Sequence, residues 1–235
     1  MKDIRPIAMP GTHENFLKFF EKKEFPRTTK ILDIGAGHGA FTQRLLSMGY
    51  DVSACDLFPE LFELDEIECK KVDITGEFPY PDESFDLVIA IEVSEHIIDH
   101  ENFFREANRI LKPNGQFLLS TPNILSLKSR IRFLFRGYYY SFGPLELRNY
   151  NGLQHVNSKT IDQYNYVAVK YGFRTAVVAI DKKQNSSFWL MIFLFPFMWL
   201  NAILKRAPMA HNQSNLLLGR LLFLCFIKED SRERN

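Results

Sequence analysis

The feature that most constrains this chain is a short apolar strand that runs directly into a glycine-rich turn. Lys30-Ile31-Leu32-Asp33-Ile34 predicts a buried strand, and Gly35-Ala36-Gly37-His38-Gly39 follows it at once. Apolar residues then recur at helical spacing as far as Gly49, where the helix is expected to stop. Because glycine lets the backbone turn tightly and approach a ligand closely, this arrangement predicts a ligand site at the carboxyl end of the strand.

Strands and helices alternate along most of the chain. Near-continuous apolar stretches predict further strands at 51–56, 68–72, 85–91, 116–120 and 173–180, and helices are predicted at 14–25, 59–64, 102–111 and 159–171. Ser158 is the predicted N-cap of the last of these helices, and Gly172 is its predicted stop. Apolar strands separated by helices indicate a parallel sheet that is covered on both faces and doubly wound.

The composition excludes several classes of protein. The chain has 235 residues, enough for one buried core and an appendage, and its formal net charge of +1 gives no reason to expect a nucleic acid as partner. Cys55, Cys69 and Cys225 are far apart and form no Cys-x-x-Cys pair, which argues against disulfides and thiolate metal sites. Residues 1–6 carry charges and a proline where a signal peptide would need an apolar run, so we expect a cytoplasmic protein.

An acidic residue lies within or directly after each of three successive predicted strands. Asp33 lies inside an apolar strand, where a carboxylate must accept hydrogen bonds from the loop or from a ligand ammonium group. Asp56 is placed to accept hydrogen bonds from two ribose hydroxyls. Asp73 is placed to accept one from an adenine amine, while Leu57 and Ile74 cover the ring. Three acids in these positions predict that the ligand is a nucleoside with a positively charged group.

Two other interpretations of the glycine turn stay open. Gly35, Gly37 and Ala40 also satisfy the pattern Gly-x-Gly-x-x-Ala of dinucleotide-binding proteins, with Asp56 as the acid that this pattern expects. A nicotinamide-dependent oxidoreductase is therefore an alternative, although Asp33 and Asp73 speak against it. The second interpretation is that the turn serves the backbone alone and binds no ligand.

Several motifs resemble one known family. Ile31 to Gly39 resembles motif I of the class I S-adenosylmethionine-dependent methyltransferases. The stretches 78–88, 92–97 and 111–116 are similar to later motifs of its small-molecule, methyltransferase type 11/12-like branch, in the same order. The resemblance covers about residues 12 to 180. It implies an α/β fold, a Rossmann-like doubly wound sheet of seven strands with one antiparallel strand, for which 221–228 is the best candidate.

The resemblance also implies a cofactor and a set of residues that bind it. The cofactor is S-adenosyl-L-methionine, which leaves as S-adenosyl-L-homocysteine after the methyl group is transferred. The residues expected to bind it are Asp33, Gly35, Ala36, Gly37, Gly39, Asp56, Leu57, Asp73, Ile74 and Glu92.

Methyl transfer from a sulfonium is an in-line displacement, so much of its rate can come from holding donor and acceptor in place. If the acceptor is a hydroxyl, a base must also take its proton, and histidine suits neutral pH best. His96 and His155 are the candidates, because one follows the fourth strand and the other ends a long insert over the same sheet edge. Alternatively, His96 supports the cofactor loop and His155 anchors a lid.

A metal ion is a further open question. Glu92-Val93-Ser94-Glu95-His96 resembles an acid-x-x-acid-His arrangement of quinone-type O-methyltransferases, where it is associated with a divalent ion. Carboxylate oxygens and one imidazole can hold such an ion. The same motif is also common in the branch without a metal, so the sequence leaves the metal unknown.

The chain divides into two parts. Residues 1–180 form the expected methyltransferase domain, in which the insert 122–157 is the substrate lid, and residues 181–235 form a hydrophobic C-terminal extension. The run 188–204 is apolar except for Asn201, contains Pro196, and has basic residues on both flanks. At seventeen residues it is short for a span, so we expect peripheral contact with the inner face of a membrane. The alternative is a helix packed on the sheet or on a second subunit.

The insert suggests a second surface for an anionic group. Lys128, Arg130, Arg132 and Arg136 interleave with apolar residues and precede three tyrosines, which suits a lipid headgroup or a phosphate-bearing substrate, or else a solvated lid face. We therefore expect an O-methyltransferase that acts on a small or lipid-linked acceptor at the cytoplasmic membrane face. The alternatives are the oxidoreductase and a non-catalytic, membrane-associated module that binds S-adenosylmethionine; the oligomeric state stays open.

Overall fold

The computed structural model describes residues 4–149, 151–206 and 208–230. Its strands are β1 (Lys30–Ile34), β2 (Asp51–Asp56), β3 (Cys69–Lys71), β4 (Phe85–Ile91), β5 (Leu111–Pro122), β6 (Val177–Ile180) and β7 (Leu221–Ile227). Its helices are α1 (Thr12–Glu21), α2 (Ala40–Ser47), α3 (His100–Ile110), α4 (Leu127–Arg136), α5 (Ile161–Lys170), α6 (Asn185–Lys205) and α7 (Ser214–Leu218).

The strands form one seven-stranded sheet in the order β3-β2-β1-β4-β5-β7-β6. The first five strands in this order pair in parallel, and β7 runs antiparallel to both of its neighbours. The predicted α/β sheet with one antiparallel strand at 221–228 is confirmed. After β1 the chain builds β2 and β3 on one side and then returns to place β4 on the other. This switch opens a crevice at the carboxyl ends of β1 and β4.

Apolar side chains cover both faces of the sheet, as the continuous apolar strands predict. Leu87 to Ala90 in β4 are completely buried, which is typical of a strand with helices above and below. On one face, Phe16 of α1 and Phe41 of α2 meet edge to face at 5.5 Å. On the other face, part of the chain's large complement of 22 Phe residues forms a cluster of mutually contacting rings. Its members include Phe103, Phe104, Phe117, Phe173 and Phe226.

Several predicted boundaries differ from the structure. The helix that follows the insert begins at Ile161, and its N-cap is Thr160 rather than Ser158. Thr160 forms a capping box, in which its hydroxyl accepts a hydrogen bond from the Gln163 amide and its own amide donates to Gln163 Oε1. The prediction was wrong by two residues because both residues are good caps, and only Thr160 has a glutamine three positions later.

Two further regions differ from the prediction: the strand at 173–180 and the residues that follow the predicted helix 102–111. Only Val177–Ile180 pairs as a regular strand, while Phe173 makes a single bridge to Lys228. Pro113-Asn114-Gly115, three residue types that favour a turn, lie inside β5, where the register with β4 shifts and Asn114 has a φ of 62°. The turn is therefore accommodated as an irregularity within a strand.

The hydrophobic run in the C-terminal part is a single helix of 21 residues that continues through Pro196. It is longer than the apolar run itself, and by length and composition it is sufficient to cross a membrane. Only Ser187 and Ala202 of this helix are buried. The alternative that 188–204 is covered by the sheet is therefore not what the structure shows.

The capping box gives a prediction for stability. Thr160→Ala removes the side-chain acceptor of the first turn of α5 and is expected to lower the free energy of unfolding by about 0.5–2 kcal/mol. Urea denaturation measures this change. The matched control is Ser158→Ala, for which we expect a change of no more than about 0.5 kcal/mol. A larger loss for the Ser158 variant than for the Thr160 variant would show that the cap is assigned to the wrong residue.

Candidate functional site

A cavity of about 650 Å³ lies at the carboxyl edge of the parallel strands. Its floor comes from the turns after β1, β2, β3 and β4, and its sides come from residues 6–9 and from the insert at 140–141 and 152–155. Nine of the ten predicted cofactor-binding residues line it, namely Asp33, Gly35, Ala36, Gly37, Asp56, Leu57, Asp73, Ile74 and Glu92. Both predicted catalytic histidines line it as well.

The glycine turn is tied to the neighbouring strand by backbone hydrogen bonds. The amides of Gly35 and Ala36 donate to the carbonyl of Cys55 at 2.8 and 3.2 Å. Gly35 has a φ of 72°, and a Cβ on it would lie 2.4 Å from Val93, so only glycine fits there. Gly39, the tenth predicted residue, does not line the cavity. It is the N-cap of α2, and a Cβ on it would meet Phe62 at 2.8 Å.

Asp33 is buried at the base of the cavity. Its Oδ2 accepts a hydrogen bond of 2.6 Å from Thr42 Oγ1 in α2, so its partner is a helix side chain rather than the glycine loop. Burial raises the pKa of Asp33 to about 7. The negative charge of Asp33 is therefore only partly present at neutral pH, and a cation in the cavity would favour it.

Asp56 joins two loops of the site. Its Oδ2 accepts from the Gly37 amide and its Oδ1 from the Phe58 amide, each at 2.8 Å. Asp73 is held differently, because its Oδ1 accepts both from the Thr75 amide and from the Thr75 hydroxyl. The carboxylates that the sequence predicted at separate strand ends thus lie on one cavity.

Glu92 turns into the site directly after β4. Its φ is 56°, an uncommon value for a residue with a side chain, and its amide donates to Ser120 Oγ in β5. The Ser120 hydroxyl donates in turn to Glu92 Oε1 at 2.8 Å. Burial raises the pKa of Glu92 to about 7. Ser120 therefore holds both the backbone and the carboxyl group of Glu92 in the strained turn.

His96 and His155 are 59 positions apart in the chain, yet their rings meet edge to face at 4.8 Å. His96 Nδ1 lies 3.1 Å from the carbonyl of Gln154, which can only accept, so the neutral ring donates there and leaves Nε2 as an acceptor. Burial lowers the pKa of both histidines, which favours the neutral form that a base requires.

The insert is fastened to the turn after β4 by Glu95. The carbonyl of Glu95 accepts hydrogen bonds from the amides of Val156 and Asn157. Its side chain is completely buried, and neither carboxyl oxygen has a hydrogen-bond partner within the described part of the chain. Burial raises the pKa of Glu95 well above its usual value.

Glu95, His96 and His155 each offer one ligand atom, and these atoms lie within 4.8 Å of one another. One carboxylate and two imidazoles are a suitable donor set for a divalent ion. Glu92, which the sequence motif includes, is held by Ser120 and does not belong to this group. The residues therefore fit a metal ion with His155 in the place that the motif assigns to Glu92.

Sequence analysis did not single out three parts of the cavity wall. Residues 6–9 and Tyr140 reach it from segments with no recognisable motif. Arg220 also lines it, with its Nε 2.7 Å from the buried carboxylate of Asp181 and its Nη2 donating to Thr12. None of these residues has a local signal, because each reaches the cavity from a segment other than the turns after β1 to β4.

Comparison with known proteins identifies the domain. Residues 32–119 match a family described as a methyltransferase domain. A demethylmenaquinone methyltransferase of Tropheryma whipplei is 31% identical over 96 residues, which are 38% of this chain and 40% of the relative. The mitochondrial ubiquinone biosynthesis O-methyltransferase of Homo sapiens is 30% identical over 159 residues, 61% of this chain and 42% of the relative. The chain thus spans about two fifths of the length of these two relatives.

Solved structures agree on the fold. A SAM-dependent methyltransferase from Archaeoglobus fulgidus has a TM-score of 0.62 at 16% identity, covering 92% of this chain and 94% of the other. Phosphoethanolamine N-methyltransferase 2 of Haemonchus contortus, solved with S-adenosyl-L-methionine, has a TM-score of 0.57 at 19% identity, covering 92% of this chain and 52% of the other. The predicted Rossmann-like fold is confirmed, and the match over residues 32–119 agrees with the predicted resemblance to the methyltransferases.

The buried carboxyl of Asp33 predicts a pH dependence of stability. Its pKa of about 7 lies above that of the unfolded chain, so the folded protein keeps a proton that the unfolded chain has released. This contribution to the free energy of unfolding is complete below about pH 4 and is lost as the pH rises to about 7. Asp33→Asn should therefore gain stability relative to the parent chain over this interval, by about 2–4 kcal/mol.

The measurement is urea denaturation of both ligand-free proteins between about pH 4 and pH 8. Asp51→Asn, at the exposed start of β2, is the matched control and should differ from the parent chain by a constant amount. If the stability difference for Asp33→Asn were also constant with pH, Asp33 would not hold the proton.

Proposed function

We propose, since residues 32–119 match a methyltransferase domain, that this chain is an S-adenosylmethionine-dependent methyltransferase acting on a small or lipid-linked acceptor at the cytoplasmic face of a membrane. The observation that carries the proposal is the convergence of the glycine turn, three aspartates and two histidines on one cavity. The relatives named for demethylmenaquinone and ubiquinone biosynthesis support a small-molecule acceptor.

The cavity supports binding of the cofactor through charge and hydrogen bonding. Asp56 would accept hydrogen bonds from the ribose hydroxyls and Asp73 from the adenine amine, while Leu57 and Ile74 would cover the ring. The cofactor carries a positive sulfonium, and several carboxyl groups line the cavity that would receive it. Gly35 and Gly37 both have a positive φ, which lets the backbone turn tightly where it lines the cavity.

The histidine pair supports O-methylation. A hydroxyl acceptor must lose its proton as it attacks the methyl group, and a neutral imidazole in the cavity can take it. His96 is held by the Gln154 carbonyl with Nε2 free to accept, and His155 lies against it. The insert covers this side of the cavity, so it would also exclude water from the displacement.

Three measurements separate this proposal from its alternatives. Calorimetry with S-adenosylmethionine and with NAD distinguishes a methyltransferase from an oxidoreductase. Transfer of a radiolabelled methyl group to a membrane extract distinguishes an enzyme from a binding module. Binding of NAD alone, or binding of S-adenosylmethionine without formation of S-adenosylhomocysteine, would contradict the proposal.

Asp56 provides a test of cofactor binding. Asp56→Ala removes the acceptor for the ribose hydroxyls, and each such bond to a charged group is worth about 1.5–3 kcal/mol. The affinity for S-adenosylmethionine, measured by calorimetry, should fall at least about tenfold. Asp51→Ala, at the other end of the same strand, is the matched control and should bind as the parent chain does. Unchanged affinity in a folded Asp56 variant would rule out this role.

His155 provides a test of the chemistry. If it belongs to the base, His155→Ala should lower methyl transfer to a membrane extract by roughly 10²–10⁴ while the cofactor affinity stays nearly unchanged. The matched control is His211→Ala, since His211 lies outside the cavity. A loss of less than threefold would leave His155 as a lid residue.

A further inference from the structure

The helix α6 exposes a large apolar surface. Trp189, Phe193 and Phe197 follow one another at four-residue spacing on one face and are 73%, 67% and 63% exposed. Leu200 and Leu204 continue the same face. Soluble monomers rarely leave a patch of this kind open to water, so it marks a contact surface.

The tip of α4 extends this surface. α4 packs beside α6, and Leu134 and Phe135 near its end are 76% and 80% exposed. Arg130 of α4 fixes the relative position of the two helices by donating hydrogen bonds to Asn212 Oδ1 and to the carbonyl of His211, just beyond α6. The two helices are in contact, and we call the exposed apolar side chains of both together the α4–α6 face.

The two chain segments that form this face carry formal charges of one sign only. Residues 121–145 and 182–219 contain eight of the 29 Lys and Arg residues and none of the 28 Asp and Glu residues. The net charge of the whole chain is only +1, so the remainder is acidic. A second copy docked symmetrically on the same face would oppose like charges, whereas an anionic bilayer matches both the apolar centre and the basic border.

The ends of α6 show that it lies along the protein rather than away from it. Ser187 near its start and Ala202 near its end are both buried. Before the helix, the Gln184 amide donates to the Leu218 carbonyl, and after it Asn212 is held by Arg130. A helix of 21 residues is about 31 Å long, and a span would force the short return segment to cross the hydrocarbon as unpaired backbone.

The same surface leads to the cavity. Phe133 of the α4 tip stacks on Tyr139 at 4.6 Å, and Tyr140, the next residue, lines the cavity. Lys128 and Arg132 of α4 lie over the Tyr140 ring at 4.4 and 5.7 Å. The wall of the cavity on this side is therefore continuous with the apolar and basic face.

We propose that the α4–α6 face docks flat on an anionic lipid bilayer and brings the Tyr140 side of the cavity to the lipid surface. The methyl acceptor is then an amphiphile that enters from the bilayer. The docking stands independently of the activity, whereas the class of acceptor rests on the proposed function.

Binding to vesicles tests the docking. The full chain should sediment with vesicles of phosphatidylcholine and phosphatidylglycerol, and at least about tenfold less with phosphatidylcholine alone. Both tryptophans of the chain, Trp189 and Trp199, lie on α6, so their fluorescence should be quenched by brominated lipid. A full chain that stays in the supernatant, or unquenched tryptophans, would overturn the proposal.

Variants assign the binding to the two helices. Phe193→Asp with Phe197→Asp in α6, and separately Leu134→Asp with Phe135→Asp in α4, should each weaken binding at least about tenfold. The matched control is Tyr166→Asp with Val169→Asp on α5, two exposed apolar residues outside the α4–α6 face, which should bind as the parent chain does. If the α4 variant bound normally, or if the α5 variant lost as much, the α4–α6 face would not be the docking surface.

Charge reversal tests the basic border. Lys182→Glu with Lys205→Glu should weaken binding to the anionic vesicles about tenfold or more. Lys18→Glu on α1 with Lys22→Glu directly after it changes the net charge equally and should leave binding within about twofold. An equal loss in both would show that net charge alone drives the association.

Cysteine labelling distinguishes flat docking from a span. Lys183→Cys and Ala210→Cys place thiols on the two flanks of α6, in a Cys69→Ser background that removes the partly exposed native thiol. With externally added protein on vesicles, both thiols should react with an impermeant maleimide. Protection of the Ala210→Cys thiol alone would show that α6 spans the bilayer. A dimer that forms without vesicles, and that the α6 variant converts to a monomer, would show that the face is a subunit interface. Either result overturns flat docking.

Two further measurements distinguish a failure of the docking proposal from a failure of the proposed function. The α4 and α6 variants should keep the parent affinity for S-adenosylmethionine, which also shows that they are folded, but should transfer at least tenfold less labelled methyl to lipid extract presented in vesicles. Vesicle binding without cofactor binding would contradict the proposed function and leave the docking intact. Cofactor binding and unchanged transfer by the docking-deficient variants would overturn entry of the acceptor from the bilayer.

Discussion

The parallel pairing of β1 with strands on both sides is the constraint on which the rest of this structure depends. Ile34, its last residue, lies beside Cys55 of β2 and Ala90 of β4, so three strands end at the same level. The carbonyl of Cys55 then accepts from the first two amides of the glycine turn. The glycine turn begins in the crevice between β1 and β4. The loops after the other parallel strands leave the same edge of the sheet, so they face the same space.

Two parts of the molecule favour ligands of opposite charge: the cavity contains buried carboxyl groups, and the α4–α6 face has basic residues. Inside the cavity, burial raises the pKa of Asp33 and Glu92 to about 7, so these carboxyl groups are costly to ionise until a cation is present. Residues 121–145 and 182–219, which form the α4–α6 face, contain Lys and Arg residues and no Asp or Glu, which leaves a surface suited to anions. The acidic cavity and the basic outer face meet at Tyr140.

Much of the sheet was predictable because its strands are locally distinct. The bounds of β1, β2 and β4 follow from continuous apolar runs between glycine, proline or charged residues, and the structure has them at the predicted positions. The aspartates were predictable for the same reason, since each directly follows or lies in such a run. Boundaries failed where local signals compete, as at Ser158 and Thr160, where two good caps stand two positions apart and the glutamine partner decides.

The sequence alone therefore determined the parallel sheet, the glycine turn and the carboxylates at its edge, because these follow from short-range patterns of burial and turning. Only the tertiary structure decided that His96 meets His155, that Arg220 reaches the cavity, and that α6 lies against α4 with its apolar face open. These contacts join residues that are tens to hundreds of positions apart. Their geometry depends on how the insert returns over the sheet and how β7 enters it between β5 and β6, and no local periodicity encodes that path.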